Sequence, residues 1–289
     1  MCVNGRKWYL TKTGGIEDVG GALSFAILDL NPEFVMGSPL SESERFGGAT
    51  GPDERRHRRR IGRTLAFGMH EVTMSQFLRF RPDYEVNWNV SQELDAAVNN
   101  IVWFDAAAFC NWLSEQEGLP ESEWCFQPDD NGNAGVMRVK PDYLSLQGYR
   151  FPTEAEWEFV CRSGTHTSRY FGATDRLLSS YAWYSKNSNE RAMTKASRLR
   201  PNDSGIFGLY GNAAEWTMSL PLVHVFEKSS LLDLEEFNLA ADAESRGLRG
   251  GSFLSHANYL RSATRYGNPP NYRDINSGLR VVRRMDLRR

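Results

Sequence analysis

Between Leu248 and Val282 the chain reads LRGGSFLSHANYLRSATRYGNPPNYRDINSGLRVV, and this stretch constrains the fold more than any other. It has glycine corners at Gly250-Gly251 and at Gly278 and a run of four arginines, Arg261, Arg265, Arg273 and Arg280, with few apolar residues between them. A plain structural element has no need of so many guanidinium groups set between glycine turns. Such a segment can form a polar site wall, held by contacts from arginine to carboxylates or backbone carbonyls. It equally suits a loop-rich domain that uses arginine forks where others use a larger core. The residues alone leave both readings open.

The rest of the chain must supply what this segment packs on. With 40% hydrophobic residues over 289 positions there is enough apolar surface for a real core, and 25 glycines imply many turns. We expect an N-terminal strand or extension over residues 1–19, followed by one domain over 20–289. A net charge of −2 gives no global attraction to nucleic acid or to an anionic membrane. The longest apolar run, Ala22–Leu28, is too short to span a bilayer. Cys2, Cys110, Cys125 and Cys161 share no metal-ligand spacing and read as reduced thiols, which points to a cytoplasmic compartment.

Local signals place the elements. Asn4-Gly5 within residues 3–12 suits an early hairpin or edge strand, and 22–30 and 33–36 read as short strands parted by Asn31-Pro32. The basic run Arg55–Arg60 follows acids and reads as a solvated strand, not a phosphate patch. Thr73 and Gln76 form a capping box before a short helix carrying Phe77 and Phe80, ended by Pro82. Ala106, Phe109, Cys110 and Leu113 make the stripe of a second helix, terminated by Gly118. The oxygens between Asp129 and Asn133 read as a hairpin turn and not a calcium loop, since no glutamate closes it. Thr153 and Glu156 form a second capping box, Trp157, Val160 and Cys161 share a face, and Ser163-Gly164 closes that helix. Its acids, Glu154 and Glu156, suit the helix dipole, and nothing in it demands chemistry. Residues 218–246 read as an insertion with a short helix over Ser229–Leu239.

Taken in order, these motifs resemble one family. Phe34-Val35-Met36-Gly37-Ser38 comes first, then Glu71-Val72-Thr73 and Phe109-Cys110-Asn111-Trp112-Leu113. Arg150-Phe151-Pro152-Thr153-Glu154-Ala155-Glu156-Trp157-Glu158, Gly208-Leu209-Tyr210, Gly211-Asn212 with Glu215-Trp216, Arg249-Gly250-Gly251-Ser252 and Gly278-Leu279-Arg280 follow. From about residue 20 onward the chain resembles the formylglycine-generating enzyme, or sulfatase-modifying factor, superfamily. The resemblance implies an α+β fold, C-type-lectin-like, with little regular secondary structure. It does not imply one activity, because the family includes copper oxidases that convert a cysteine into formylglycine, partners of non-haem iron enzymes and diversified binding proteins.

Carried over residue by residue, the resemblance argues against oxidation. The two copper-binding cysteines of the oxidases fall here on Ser255 and Leu260, and neither supplies the soft thiolate that Cu(I) needs. A pocket tryptophan is replaced by Ala214. The five histidines, His57, His70, His166, His224 and His256, form no HxxxH pair, so His256 reads as a pocket or surface histidine and not an iron ligand. For the family's calcium site, Gly211, Ala213 and Glu215 remain as candidate ligands, but residues usually present between Gly-Leu-Tyr and Gly-Asn are missing. Glu215 can pair with an arginine instead.

The expectation is therefore a pseudoenzyme: a binding module without copper, retaining calcium at most, that takes a protein, peptide or small-molecule ligand. Its candidate ligand-binding residues are Ser252, Ser255, His256, Tyr259, Arg261, Arg265, Tyr266, Asn268, Asn271 and Tyr272, a Tyr- and Asn-rich set resembling a paratope. The alternatives are an enzyme of altered chemistry using Ser252, Ser255, His256 and an arginine, and a formylglycine-generating-type oxidoreductase or related non-haem metal enzyme with an altered active site. No nucleic-acid or membrane partner is expected.

Overall fold

The computed structural model describes residues 23–45, 54–91, 93–129, 133, 135–189, 198–220 and 245–286, together with the backbone of strands 2–3 and 6–10. The helix expected over Ser229–Leu239 lies outside the described residues.

Sixteen short strands and three α-helices make up the regular structure of the described residues. The largest sheet has six strands in the order β1-β2-β3-β6-β16-β9: β1 Cys2–Val3, β2 Arg6–Leu10, β3 Ser24–Asp29, β6 Thr64–Gly68, β16 Val282–Arg284 and β9 Tyr149–Arg150. Every neighbouring pair in it is antiparallel. The Asn-Gly hairpin expected near the N-terminus is its outer edge. A second sheet has the order β14-β13-β12-β15, from β14 Arg265–Asn268, β13 Arg246–Arg249, β12 Ala214–Trp216 and β15 Ser277–Gly278. Three two-stranded ribbons complete the set: β4 Phe34–Met36 with β5 His57–Arg59, β7 Phe126–Pro128 with β8 Met137–Val139, and β10 Ala182–Trp183 with β11 Tyr210–Gly211.

The large sheet divides the interior because side chains on a strand alternate between faces. Along β3 and β6, Phe25 and Ala66 enter one apolar cluster, while Ala26, Leu65 and Phe67 enter another. On the strand leading into β16 the same alternation sends Val281 to the first cluster and Val282 to the second.

Helix α1 (Met74–Phe80) and helix α2 (Trp103–Gln116) cover the first face. The Thr73 capping box opens α1, and Phe77 stacks on Phe109 of α2 with ring centroids 5.6 Å apart. Trp103, Phe109, Cys110 and Leu113 are fully buried, and burying each large side chain contributes about 1.5–3 kcal/mol. Helix α3 (Glu154–Arg162) covers the second face through Trp157, Val160 and Cys161. Two tryptophans join the sheets to these cores: Trp103 Nε1 donates to Thr217 O at 3.0 Å, and Trp216 Nε1 to Ile101 O at 3.1 Å.

Candidate functional site

Helix α3 decides what the arginines are for. Its capping box is closed, with Thr153 N donating to Glu156 Oε2 at 2.8 Å and Glu156 N to Thr153 Oγ1 at 3.1 Å. Beyond capping, Glu154, Glu156 and Glu158 are all fully buried. Glu154 receives Arg265 Nε at 3.0 Å and faces Arg249 Nη1 at 3.6 Å. Glu156 takes a two-pronged contact from Arg150, 2.7 Å at each oxygen, and Arg63 Nε at 2.6 Å. Glu158 receives Arg162 Nε at 2.8 Å, Arg249 Nη2 at 2.5 Å and the Gly37 amide at 2.7 Å. Burial opposes ionisation of Glu156, but Arg150 and Arg63 outweigh it and hold its carboxyl down at about 2. The same balance, with Arg162 and Arg249, depresses Glu158.

Three of the four arginines of the C-terminal segment are therefore structural forks. Arg265 belongs to Glu154, and Arg280 to Glu215. Arg261 grips Glu54 through Nη1 and Nη2 at 2.8 and 2.9 Å and adds Glu42 at 2.7 Å. Arg261 and Arg265, expected among the ligand-binding residues, are 2% and 4% exposed and face the interior, which corrects that expectation. The acids of α3, read from the sequence as dipole partners, are in fact the buried counterions of this set.

Ser255 and Leu260, the positions that the resemblance matches to copper-binding cysteines, lie together. A Cβ built on Gly251 would fall 2.6 Å from Leu260 Cδ2 and 3.1 Å from Ser255 Oγ, so both side chains converge on the Gly251 corner. Gly251 has φ +69°, where an L side chain is strained as well as crowded. Leu260 is fully buried in the second apolar cluster. Ser255 Oγ accepts from the Ser252 amide at 2.9 Å and so closes a local turn. This corner presents a hydroxyl and a methyl group, and such a donor set does not fit Cu(I). The nearest-chemistry thiol, Cys161, is buried, and its pKa is pushed up to about 12. Ser252, also expected in the ligand set, is nearly buried beneath this turn.

Nor does the Gly211–Glu215 corner, as arranged, fit calcium. Both carboxylate oxygens of Glu215 are occupied: Oε1 accepts from Arg280 Nη2 at 2.6 Å and Oε2 from Trp157 Nε1 at 2.7 Å. A cation placed there would face a fixed guanidinium at contact distance. Gly211 itself is packed against backbone, since a Cβ would lie 1.9 Å from Trp183 O. Ala213 is fully buried beside Phe253.

Two further residues support these corners, Glu71 beside Glu215 and Arg169 at the 257–260 turn. Glu71 accepts from Asn212 Nδ2 at 2.9 Å and sits 3.7 Å from Arg280, so two buried carboxylates share one guanidinium. Burial, with Glu215 as a further like charge against the pull of Arg280, raises the Glu71 carboxyl to about 7. Arg169 is buried and donates to Leu260 O at 2.7 Å and Ala257 O at 2.6 Å, holding the 257–260 turn. Arg169 carries no spacing signal that could have been read in advance, and the Glu71-Val72-Thr73 motif does not reveal the pairing of Glu71 with Arg280.

The other residues of the expected ligand set are more accessible. His256, Asn271 and Tyr272 are exposed; Ser255, Tyr259, Tyr266 and Asn268 are half-buried. His256 Nδ1 lies 3.4 Å from Ser185 Oγ, and among the described residues no carboxylate is hydrogen-bonded to it. Tyr266 packs on Tyr259, with ring centroids 6.3 Å apart. Among the described residues, no group of three or more His, Cys, Asp and Glu side chains could hold a metal ion, and no helix is long and apolar enough to cross a membrane.

Against known proteins, residues 32–285 match the Sulfatase-modifying factor enzyme 1-like domain. The chain is 28% identical over 208 residues to a formylglycine-generating enzyme of Bos taurus, covering 67% of this chain and 54% of that one. It is 25% identical over 207 residues to the inactive C-alpha-formylglycine-generating enzyme 2 of the same organism, covering 67% and 52%. In each case the match spans about half the length of the relative. Among solved structures, the Treponema denticola variable protein 1 superposes with a TM-score of 0.78 at 22% identity, over 96% of this chain and 99% of that one.

Proposed function

We propose, from the premise that this chain belongs to the sulfatase-modifying factor family, that it is a binding module and not a cysteine oxidase. The observation that carries this reading is the corner at Gly251, where Ser255 Oγ and buried Leu260 stand in the positions of the thiolates. Without a soft donor pair there is no place to hold Cu(I) and activate oxygen. The face that remains displays Tyr272, Asn271 and His256, with Tyr259 and Tyr266 behind them, a composition suited to contacting a protein or peptide. Buried free thiols at Cys110, Cys125 and Cys161 support a reducing, cytoplasmic setting.

One relative of the same domain is named inactive, and one neighbour of the same fold is named a variable protein. Membership of the diversified type is a narrower form of the same reading. It predicts adenine-biased codons over positions 255–277, with an imperfect repeat of that segment near the gene; their absence removes it.

The decisive experiment incubates the purified protein with Cu(I), oxygen and a cysteine-containing sulfatase peptide, then weighs the peptide. We expect no change. A loss of about 18 Da, the difference between a thiol and an aldehyde, would establish oxidase chemistry and reject the binding-module reading.

A further inference from the structure

We infer that the loop from Asp83 to Asp95 is a second wall of the binding face, and that the occupant is a basic segment of a protein or peptide. The inference rests on the binding-module reading and adds the partner's chemistry to it.

Among the described residues, seven large apolar side chains are strongly exposed, and five of them come from two stretches of chain. Leu254, Tyr272 and Ile275 belong to the C-terminal segment; Trp88, 57% exposed, and Leu94 belong to the loop. The stretches are built together. Val90, Ala96 and Ala97 of the loop region bury themselves with Ala213 and Phe253, so Trp88 and Leu254 flank the same small cluster. Asn100 N donates to Asp274 O at 3.1 Å, Arg273 Nη1 donates to Asn100 O at 2.9 Å, and Ala214 N donates to Asn276 O at 2.8 Å. Exposed apolar groups gathered from separate segments mark an interaction surface, and Trp and Tyr are the side chains that most often anchor one.

Charge selects the partner. Between positions 83 and 95 there are four acids, Asp83, Glu85, Glu93 and Asp95, and no lysine or arginine. Nearby basic groups are engaged with acids: Arg198 holds Glu93 at 2.6 Å, and Arg81 and Arg273 both hold Asp105, at 2.7 and 3.0 Å. Asp83 and Glu85 remain exposed on either side of Tyr84, close to an exposed indole. Acids beside an open Trp88 ring favour a lysine or arginine by Coulomb attraction and by cation–π contact, and disfavour a phosphate backbone.

The test is a selection of random peptides displayed on phage against the full chain. Three immobilised proteins are compared: wild type, a wall variant Tyr272→Ala/Ile275→Asp, and a loop variant Asp83→Lys/Glu85→Lys, each shown by circular dichroism to be folded. We expect lysine- and arginine-rich peptides whose affinity falls about tenfold or more in both variants, with the loss in the loop variant shrinking as salt is raised. Acidic or neutral peptides that depend on Tyr272 and Ile275 but ignore the loop variant would overturn the basic partner while leaving the binding face intact. Peptides indifferent to the wall variant, or no enrichment over an unrelated control protein, would overturn the binding face itself.

Discussion

Gly251 and Leu260 are locked together: a single added methyl on Gly251 would approach Leu260 Cδ2 to 2.6 Å. The relationship makes this corner a packing contact between a glycine turn and a buried leucine. A leucine here packs against the turn and adds to the second apolar cluster. Replacing Gly251 by Ala should cost about 1–2 kcal/mol, from the positive φ and the crowding together. Urea unfolding followed by tryptophan fluorescence will measure it.

Because Ser255 and Leu260 converge on one point, Ser255→Cys/Leu260→Cys should acquire Cu(I) binding that wild type lacks. Titration against a colorimetric Cu(I) chelator should show one equivalent retained by the double variant and none by either single variant. Equal retention by wild type would mean that copper is held elsewhere.

Arg249 ties Glu158 and Glu154 of α3 to the second sheet and lies over the Trp157 ring, 5.1 Å from its centroid. Arg249→Ala leaves buried carboxylates with too few counterions, which should destabilise the fold by about 3–5 kcal/mol. Removing Glu158 in the same molecule should recover part of that loss, and a double-mutant cycle reads the coupling directly.

Stability should depend on pH through Glu71. Its carboxyl titrates at about 7 in the fold against an ordinary value of 4.5, because burial disfavours the charged form. The folded state thus binds the extra proton between those values, and stability falls as pH rises from about 4.5 to about 7, then levels off. The full span is about 3 kcal/mol. Below pH 4.5 the sign reverses, since Glu156, held at about 2, must be protonated as acid unfolds the chain. Raising the pH from 5 to 8 should lower the denaturant midpoint of wild type relative to that of Glu71→Gln, which keeps an acceptor for Asn212; His57, whose pKa is lowered chiefly by burial, acts in the opposite direction and equally in both proteins.

Thr153 should be worth about 1–2 kcal/mol as the N-cap of α3. Thr153→Ser should retain most of it and Thr153→Ala should lose it, as measured by thermal unfolding.

What could be read in advance was local. Both capping boxes, the Phe109–Leu113 stripe, the Phe126–Val139 hairpin and the antiparallel start of the large sheet follow from side-chain periodicity and from residues that satisfy neighbouring backbone groups. These are interactions over a few positions, and spacing encodes them. The order of family motifs likewise sufficed to identify the family and its fold.

The destination of the arginines was decided only in three dimensions. Arg265 meets Glu154 across 111 positions of chain and Arg261 meets Glu54 across 207, distances over which spacing has nothing to say. A guanidinium can face solvent or a buried carboxylate with the same local sequence around it. Which one it faces depends on whether a counterion has been brought within hydrogen-bonding reach by the packing of α3 and the two sheets. So the sequence by itself determined the local elements and the family, while tertiary packing turned Arg261, Arg265 and Arg280 inward and left Tyr272, Asn271 and Trp88 exposed.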